Sequence, residues 1–280
     1  MLPEGSIGVF DSGFGGLDIL HGIVKALPQY DYIYLGDSNR APYGNRSEAD
    51  IFRFTQQAVE FLFSQNCPLI ILACNTASAQ ALSLIQHQVL PLSFPDRRVL
   101  GVIIPAVEAV AEAKCSRVGV IATPSTVDAN AFVRELAKLN PNIKVFQQAC
   151  PGLVPLIESG QYRYKKIIRL LRIYLAPLLE KNIDSLILGC THYGLIADQV
   201  QTIVGEKTRL LNEADIVPGK LACYLLRHPQ IEKKLTKNKR IVFFSTKPSP
   251  KFDHLGSQFF GSTISARLAI IAHMSSKSHR

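Results

Sequence analysis

One pattern occurs twice in the chain and carries its most reactive side chains. The first copy is Leu69-Ile-Ile-Leu-Ala-Cys74-Asn75-Thr76-Ala77, and the second is Ser185-Leu-Ile-Leu-Gly-Cys190-Thr191-His192-Tyr193. Each is a short apolar run that ends in a small residue and a cysteine, followed by amide, hydroxyl or imidazole side chains. A run of this kind reads as a buried parallel strand. Ligands of open α/β sheets bind beyond the carboxyl ends of such strands, so both cysteines are expected at strand tips. Two thiols on opposite sides of one pocket can act as base and acid on the same carbon. The plain alternative is a pair of structural cysteines, since cysteine is often fully buried. The polar sequel to both copies argues against it.

A carbon acid beside a carboxylate is very weakly acidic. Removing its proton needs a well-placed base and stabilisation of the charge that develops. A free cysteine is mostly protonated at neutral pH, so a thiolate base needs help from neighbours. His192 lies two positions after Cys190, and on an extended segment such residues face the same way. The first copy has no adjacent base. Asp11, at the tip of the apolar run Ser6-Ile-Gly-Val-Phe10, is the candidate for that task; its other role would be to cap the turn that follows. A cysteine nucleophile activated by histidine is the competing chemistry. It explains Cys190 and leaves Cys74 without a role.

These residues need elements to hold them. Ser6–Phe10, Asp31–Leu35, the two cysteine runs, Val99–Ile104, Arg117–Thr123, Ile143–Gln148, a short strand from Arg209, and Arg240–Ser245 all read as strands. Helices are expected between them, one opening at Ser47 as a cap and the last from about Gly261. This alternation predicts an α/β protein with largely parallel sheets. The first turn, Asp11-Ser-Gly-Phe-Gly-Gly-Leu17, is glycine-rich but not spaced as a dinucleotide fingerprint. It offers close backbone approach and free N–H groups suited to a carboxylate. Gly36-Asp37-Ser-Asn-Arg40-Ala-Pro42-Tyr43-Gly44-Asn45 reads as a loop at a sheet end, where binding residues often sit. Thr123 and Thr126 fall just past the tip of another strand. Pro91–Arg98 is a candidate crossing between two half-molecules of similar design.

The composition bounds the function class. The 280 residues allow one large or two medium domains, and 47% of them are hydrophobic, enough for a full core. The six cysteines, at 67, 74, 115, 150, 190 and 223, form no CxxC pair and resemble neither a zinc knuckle nor a disulfide scaffold. The first residues lack a basic region followed by an apolar stretch, and no apolar run is long enough to span a membrane. A cytoplasmic protein with reduced thiols and no membrane partner is expected. The net charge of +9 is concentrated in Glu232–Arg240 and in the tail Lys277–Arg280. Neither segment carries aromatic interleaving or a nucleic-acid motif, so nucleic acid is not the expected partner. A homodimer is left open.

Several stretches together resemble glutamate racemase, of the cofactor-independent aspartate/glutamate racemase superfamily. They are Gly8–Leu17, Tyr34–Asp37, Ala41–Gly44, Ala73–Ala79, Ala122–Val127, Ala149–Glu158, Leu188–Tyr193, Phe243–Thr246 and Lys251-Phe252. The resemblance runs in order from about residue 7 to about residue 260. It implies two similar three-layer α/β domains with the active site in the cleft between them. Their expected boundaries are 1–98 plus 209–280, and 99–208. It implies interconversion of L- and D-glutamate to supply peptidoglycan synthesis, with no pyridoxal phosphate and no metal. Cys74 then handles the D-face proton and Cys190 the L-face proton, assisted by Asp11 and His192 respectively. Ser12, Tyr43, Gly44, Asn75, Thr76 and Thr191 fall at substrate-binding positions, together with Thr123, Thr126 and Glu158. Related sequences usually have proline where this chain has Gly194, an Asp-Ser or Asp-Pro turn where it has Asn212-Glu213, and Gly-Asp where it has Lys247-Pro248. Another racemase of the superfamily, acting on aspartate or hydantoins, is the alternative within the class; a Cys-His hydrolase lies outside it.

Overall fold

The computed structural model describes residues 5–160 and 165–271. Among the described residues ten strands form two all-parallel sheets. In chain order they are β1 (Ile7–Asp11), β2 (Tyr32–Gly36), β3 (Leu69–Leu72), β4 (Arg98–Gly101), β5 (Arg117–Ala122), β6 (Lys144–Ala149), β7 (Ser185–Gly189), β8 (Arg209–Leu211), β9 (Ile241–Ser245) and β10 (Ala266–Leu268). The larger sheet has the order β10-β9-β2-β1-β3-β4 and the smaller the order β6-β5-β7-β8.

Both orders contain a switch point. The chain passes from β1 to β2 on one side and returns to β3 on the other. It likewise passes from β5 to β6 and returns to β7 on the far side. Neighbouring connections then leave in opposite directions and open a crevice at the strand tips. In the larger sheet that crevice lies between Asp11 and Cys74, and in the smaller between Thr123 and Cys190. Ala73 N–H donates to the Phe10 carbonyl at 2.8 Å, which extends the β1–β3 pairing to the residue before the cysteine.

The side chains alternate between layers as strand geometry requires. Ile7 and Val9 of β1 and Leu186 and Leu188 of β7 share one apolar cluster that reaches both sheets. Phe10 joins a second cluster on the far face of the larger sheet, and Ile187 a third on the far face of the smaller. Helix Gly16–Ala26 turns Leu17, Leu20 and Ile23 inward. It packs against Glu213–Arg227, whose buried side chains include Val217 and Leu221. Ser47 caps helix Glu48–Ser64 as expected, accepting from Asp50 N–H at 3.2 Å.

The sheets do not break where the sequence suggested. β4 pairs with β3, so the segment expected to begin the second unit completes the larger sheet. β8 pairs with β7 and belongs to the smaller sheet, although residue 209 was expected to begin the return to the first unit. A boundary at 98/99 would fall inside β4, and one at 208/209 would strip β8 from the smaller sheet. The last helix also differs. It spans Pro250–Phe260, capped by Ser249, and Gly261 ends it at φ +76°, in the left-handed region that glycine tolerates. Among the described residues after Gly261 the chain forms β10, an edge strand, and not the expected helix. The expected helix start at Tyr164 lies outside the described residues; the helix is described from Lys165 to Leu179.

Candidate active site

One cavity is lined by both cysteines and by Ser12, Tyr43, Gly44, Asn75, Thr76, Thr123, Glu158, Thr191 and His192. Of the residues singled out in the sequence, only Asp11 and Thr126 do not line it, and both bond to residues that do. Asp11 is fully buried at the end of β1. Its Oδ2 accepts from Gly13 N–H at 2.9 Å and its Oδ1 from the Thr191 hydroxyl at 3.2 Å. Burial pushes its carboxyl above the ordinary value, although His192 and the two donors oppose that rise.

Cys74 follows β3 and is 5% exposed. Its thiol donates to Ser12 Oγ at 3.5 Å. Burial pushes the thiol up to about 11, and the nearby Asp11 carboxyl adds to the rise. Hydrogen bonds from Ser12 and from the Ala77 backbone counter it. Cys190 is 7% exposed, and its thiol is raised well above its ordinary value, again chiefly by burial.

His192 stands between a thiol and a carboxylate. Its Nε2 lies 3.0 Å from Glu158 Oε1, and its Nδ1 lies 3.9 Å from Cys190 Sγ and 3.5 Å from Thr191 Oγ1. A carboxylate on Nε2 favours the tautomer with its proton there, which leaves the Nδ1 lone pair facing the thiol. Phe14 and Phe259 pack edge-on to the imidazole, with ring centroids 5.6 and 5.7 Å away, and hold its plane. Gly15 is required beside it. A Cβ there would lie 2.5 Å from Thr191 Oγ1 and 2.7 Å from His192 Nδ1, so only glycine lets the first turn approach the second motif.

Three hydroxyls join the two sheets. Thr76, beyond β3, lies 3.0 Å from Thr123 and 3.1 Å from Thr126; those two, beyond β5, are 2.9 Å apart. Thr123 also caps helix Pro124–Asp128.

Several residues of the site were missed by the sequence reading. Asp37 is fully buried and accepts from Tyr43 OH at 2.5 Å, Arg40 Nε at 2.6 Å and Thr246 Oγ1 at 2.8 Å, which fixes the tyrosine on the cavity wall. Its position in a loop at a sheet end was a usable signal. Cys150 also lines the cavity, with a thiol pushed up to about 12 by burial. Glu213 reaches Asn75 from a distant helix; no local feature of its sequence marks it.

Residues 7–216 match the Asp/Glu/Hydantoin racemase family, and the chain belongs to that family and is an isomerase of the racemase type. A glutamate racemase of Geobacter metallireducens is 37% identical over 261 residues, 93% of this chain and 94% of the relative. A glutamate racemase of Roseobacter denitrificans is 43% identical over 237 residues, 80% of this chain and 86% of the relative. The crystal structure of a Francisella tularensis glutamate racemase in complex with D-glutamate superposes with a TM-score of 0.86 at 34% identity, covering 96% of this chain and 98% of that one. Among the described residues no helix is long and apolar enough to cross a membrane.

Proposed function

We propose that the chain interconverts L- and D-glutamate without a cofactor, with Cys74 and Cys190 as paired acid and base. The observation that carries this reading is the placement of two buried thiols on one cavity, each at the switch point of its own sheet. The glutamate racemases that the chain is similar to, one of them solved with D-glutamate, support the choice of substrate.

From L-glutamate, the Cys190 thiolate takes the α-proton and the electron pair of the C–H bond stays on the carbon. The Cys74 S–H bond then breaks and its proton is delivered to the opposite face. The products are D-glutamate, a Cys190 thiol and a Cys74 thiolate, and the reverse reaction restores the starting state. Nothing is oxidised or reduced. The assignment of faces follows the family resemblance. Burial raises both thiols, so the positive ammonium of a bound amino acid helps to form the thiolate. His192 takes the Cys190 proton at Nδ1, with Glu158 stabilising the imidazolium that results. Asp11 does the corresponding work for Cys74 across Ser12. Ser12, Tyr43, Gly44, Asn75, Thr76 and Thr191 bind substrate, while Thr123 and Thr126 hold Thr76 in place. Glu158 acts chiefly through His192 rather than on substrate.

The D-glutamate formed is proposed to feed peptidoglycan synthesis. The two halves are proposed to be domains divided by sheet membership, with the crossing after β4 and the return after β8.

The test is circular dichroism of L-glutamate incubated with the pure protein, dialysed against a chelator and a carbonyl scavenger. Decay of the signal to zero supports the reading. Activity lost on dialysis and restored by pyridoxal phosphate contradicts it. A persistent signal together with a covalent acyl adduct on Cys190 would favour hydrolase chemistry.

A further inference from the structure

Asn75 and Glu213 form a buried pair that spans 138 positions of sequence. Asn75 follows Cys74 and lines the cavity. Glu213 opens helix Glu213–Arg227, behind its cap Asn212, and is only 2% exposed. Asn75 Nδ2 donates to Glu213 Oε2 at 2.7 Å. The remaining polar atoms of the pair, Asn75 Oδ1 and Glu213 Oε1, are buried and have no hydrogen-bond partner among the described residues.

A pair of this kind is a poor device for stability. A buried carboxyl held by a single hydrogen bond is undercompensated, and apolar replacements at such places are often neutral or stabilising. Its effect on Asn75 is more specific. A carboxamide has a donor end and an acceptor end, and a neighbouring acceptor decides which of them faces the other way. Glu213 takes the donor end. The acceptor end is left unmatched in a residue on the wall of a cavity whose substrate carries an ammonium group. An amide turned the other way would set its NH2 against that cation.

We propose that Glu213 is a positioning residue, which holds the Asn75 carboxamide so that its carbonyl oxygen accepts a hydrogen bond from the substrate's α-ammonium group. The proposal rests on the amino-acid racemase reading above. It assigns a task to the Glu213 that stands where related sequences usually have serine or proline. Burial pushes the Glu213 carboxyl well above its ordinary value.

The experiment compares wild type, Glu213→Ala and Glu213→Gln by two constants: KM for glutamate, and the inhibition constant for glutarate, the same diacid without the amine. Glu213→Ala is expected to raise KM about tenfold, the worth of one hydrogen bond to a charged group. Glutarate inhibition should stay within about twofold, because glutarate has no ammonium to lose. Glu213→Gln, whose amide oxygen still accepts from Asn75, should restore most of the affinity. In an Asn75→Ala background Glu213→Ala should add no further increase. If Glu213→Ala does not fold, Glu213→Ser is measured for the same split. Unchanged constants in the short-side-chain variant, or a parallel rise for glutamate and glutarate, would overturn the proposal. A wild type that turns over neither enantiomer would instead overturn the racemase reading.

Discussion

The Thr191 hydroxyl donates to Asp11 Oδ1 at 3.2 Å, across 180 positions of sequence. The bond ties the tip of β7 to the tip of β1, so the carboxyl proposed to serve Cys74 is oriented by the residue next to Cys190. Gly13 N–H fixes the other oxygen at 2.9 Å.

Thr191→Val keeps the shape of the side chain and deletes this donor. A buried carboxyl that loses a partner costs about 1–3 kcal/mol. We predict that kcat/KM falls at least tenfold in both directions while far-ultraviolet circular dichroism stays native. An active Thr191→Val with wild-type constants would mean that Asp11 needs no support from the second motif.

Asp11→Asn and His192→Asn should each slow the enzyme with the fold intact, and neither can slow one direction alone. The enantiomers have equal free energy, so both directions share one kcat/KM. The asymmetry belongs in the isotope effects. Asp11→Asn should raise the effect seen with α-deuterated D-glutamate, and His192→Asn the effect with α-deuterated L-glutamate. Equal changes in both would break the pairing of each helper with its own cysteine.

Gly194 leaves room for an acid. A Cβ at that position would overlap Asp18 Oδ2, so the glycine that stands in place of the usual proline is matched to this carboxyl. Burial raises Asp18 to about 6, and repulsion from Asp215 adds to the rise. A carboxyl raised on folding contributes most stability when protonated and loses it as pH climbs through its folded value. Asp18→Asn should therefore gain on wild type between about pH 4 and pH 7, by at most about 3 kcal/mol or several degrees in Tm. Melting curves at both ends of that window check it; a constant difference would show that Asp18 titrates normally.

The strands were legible because a parallel strand buried on both faces is a continuous apolar run, and because the site residues follow such runs directly. β1, β3 and β7 are of this kind, and their tips carry Asp11, Cys74 and Cys190. β10 was not legible: three residues of largely exposed edge strand have no such signature, and Pro248 and Pro250 masked the helix Pro250–Phe260. The sheet membership of β4 and β8 was hidden for another reason. A strand's composition reports its burial but not its neighbour, and both lie at sheet edges beside the crossings. Glu213 was invisible as a site residue because an acid in the first turn of a helix is ordinary there. Only the folded chain brings it to Asn75.

The two thiols are proposed to work on opposite faces of one carbon. The decisive measurement runs the wild-type enzyme on L-glutamate in deuterated water and follows the α-proton of each enantiomer by NMR at early times. D-glutamate should appear already deuterated while the remaining L-glutamate keeps its proton, because the base that removes the proton is not the acid that replaces it. Early deuterium in the L-glutamate pool would show a single exchanging base and rule out two thiols acting on opposite faces.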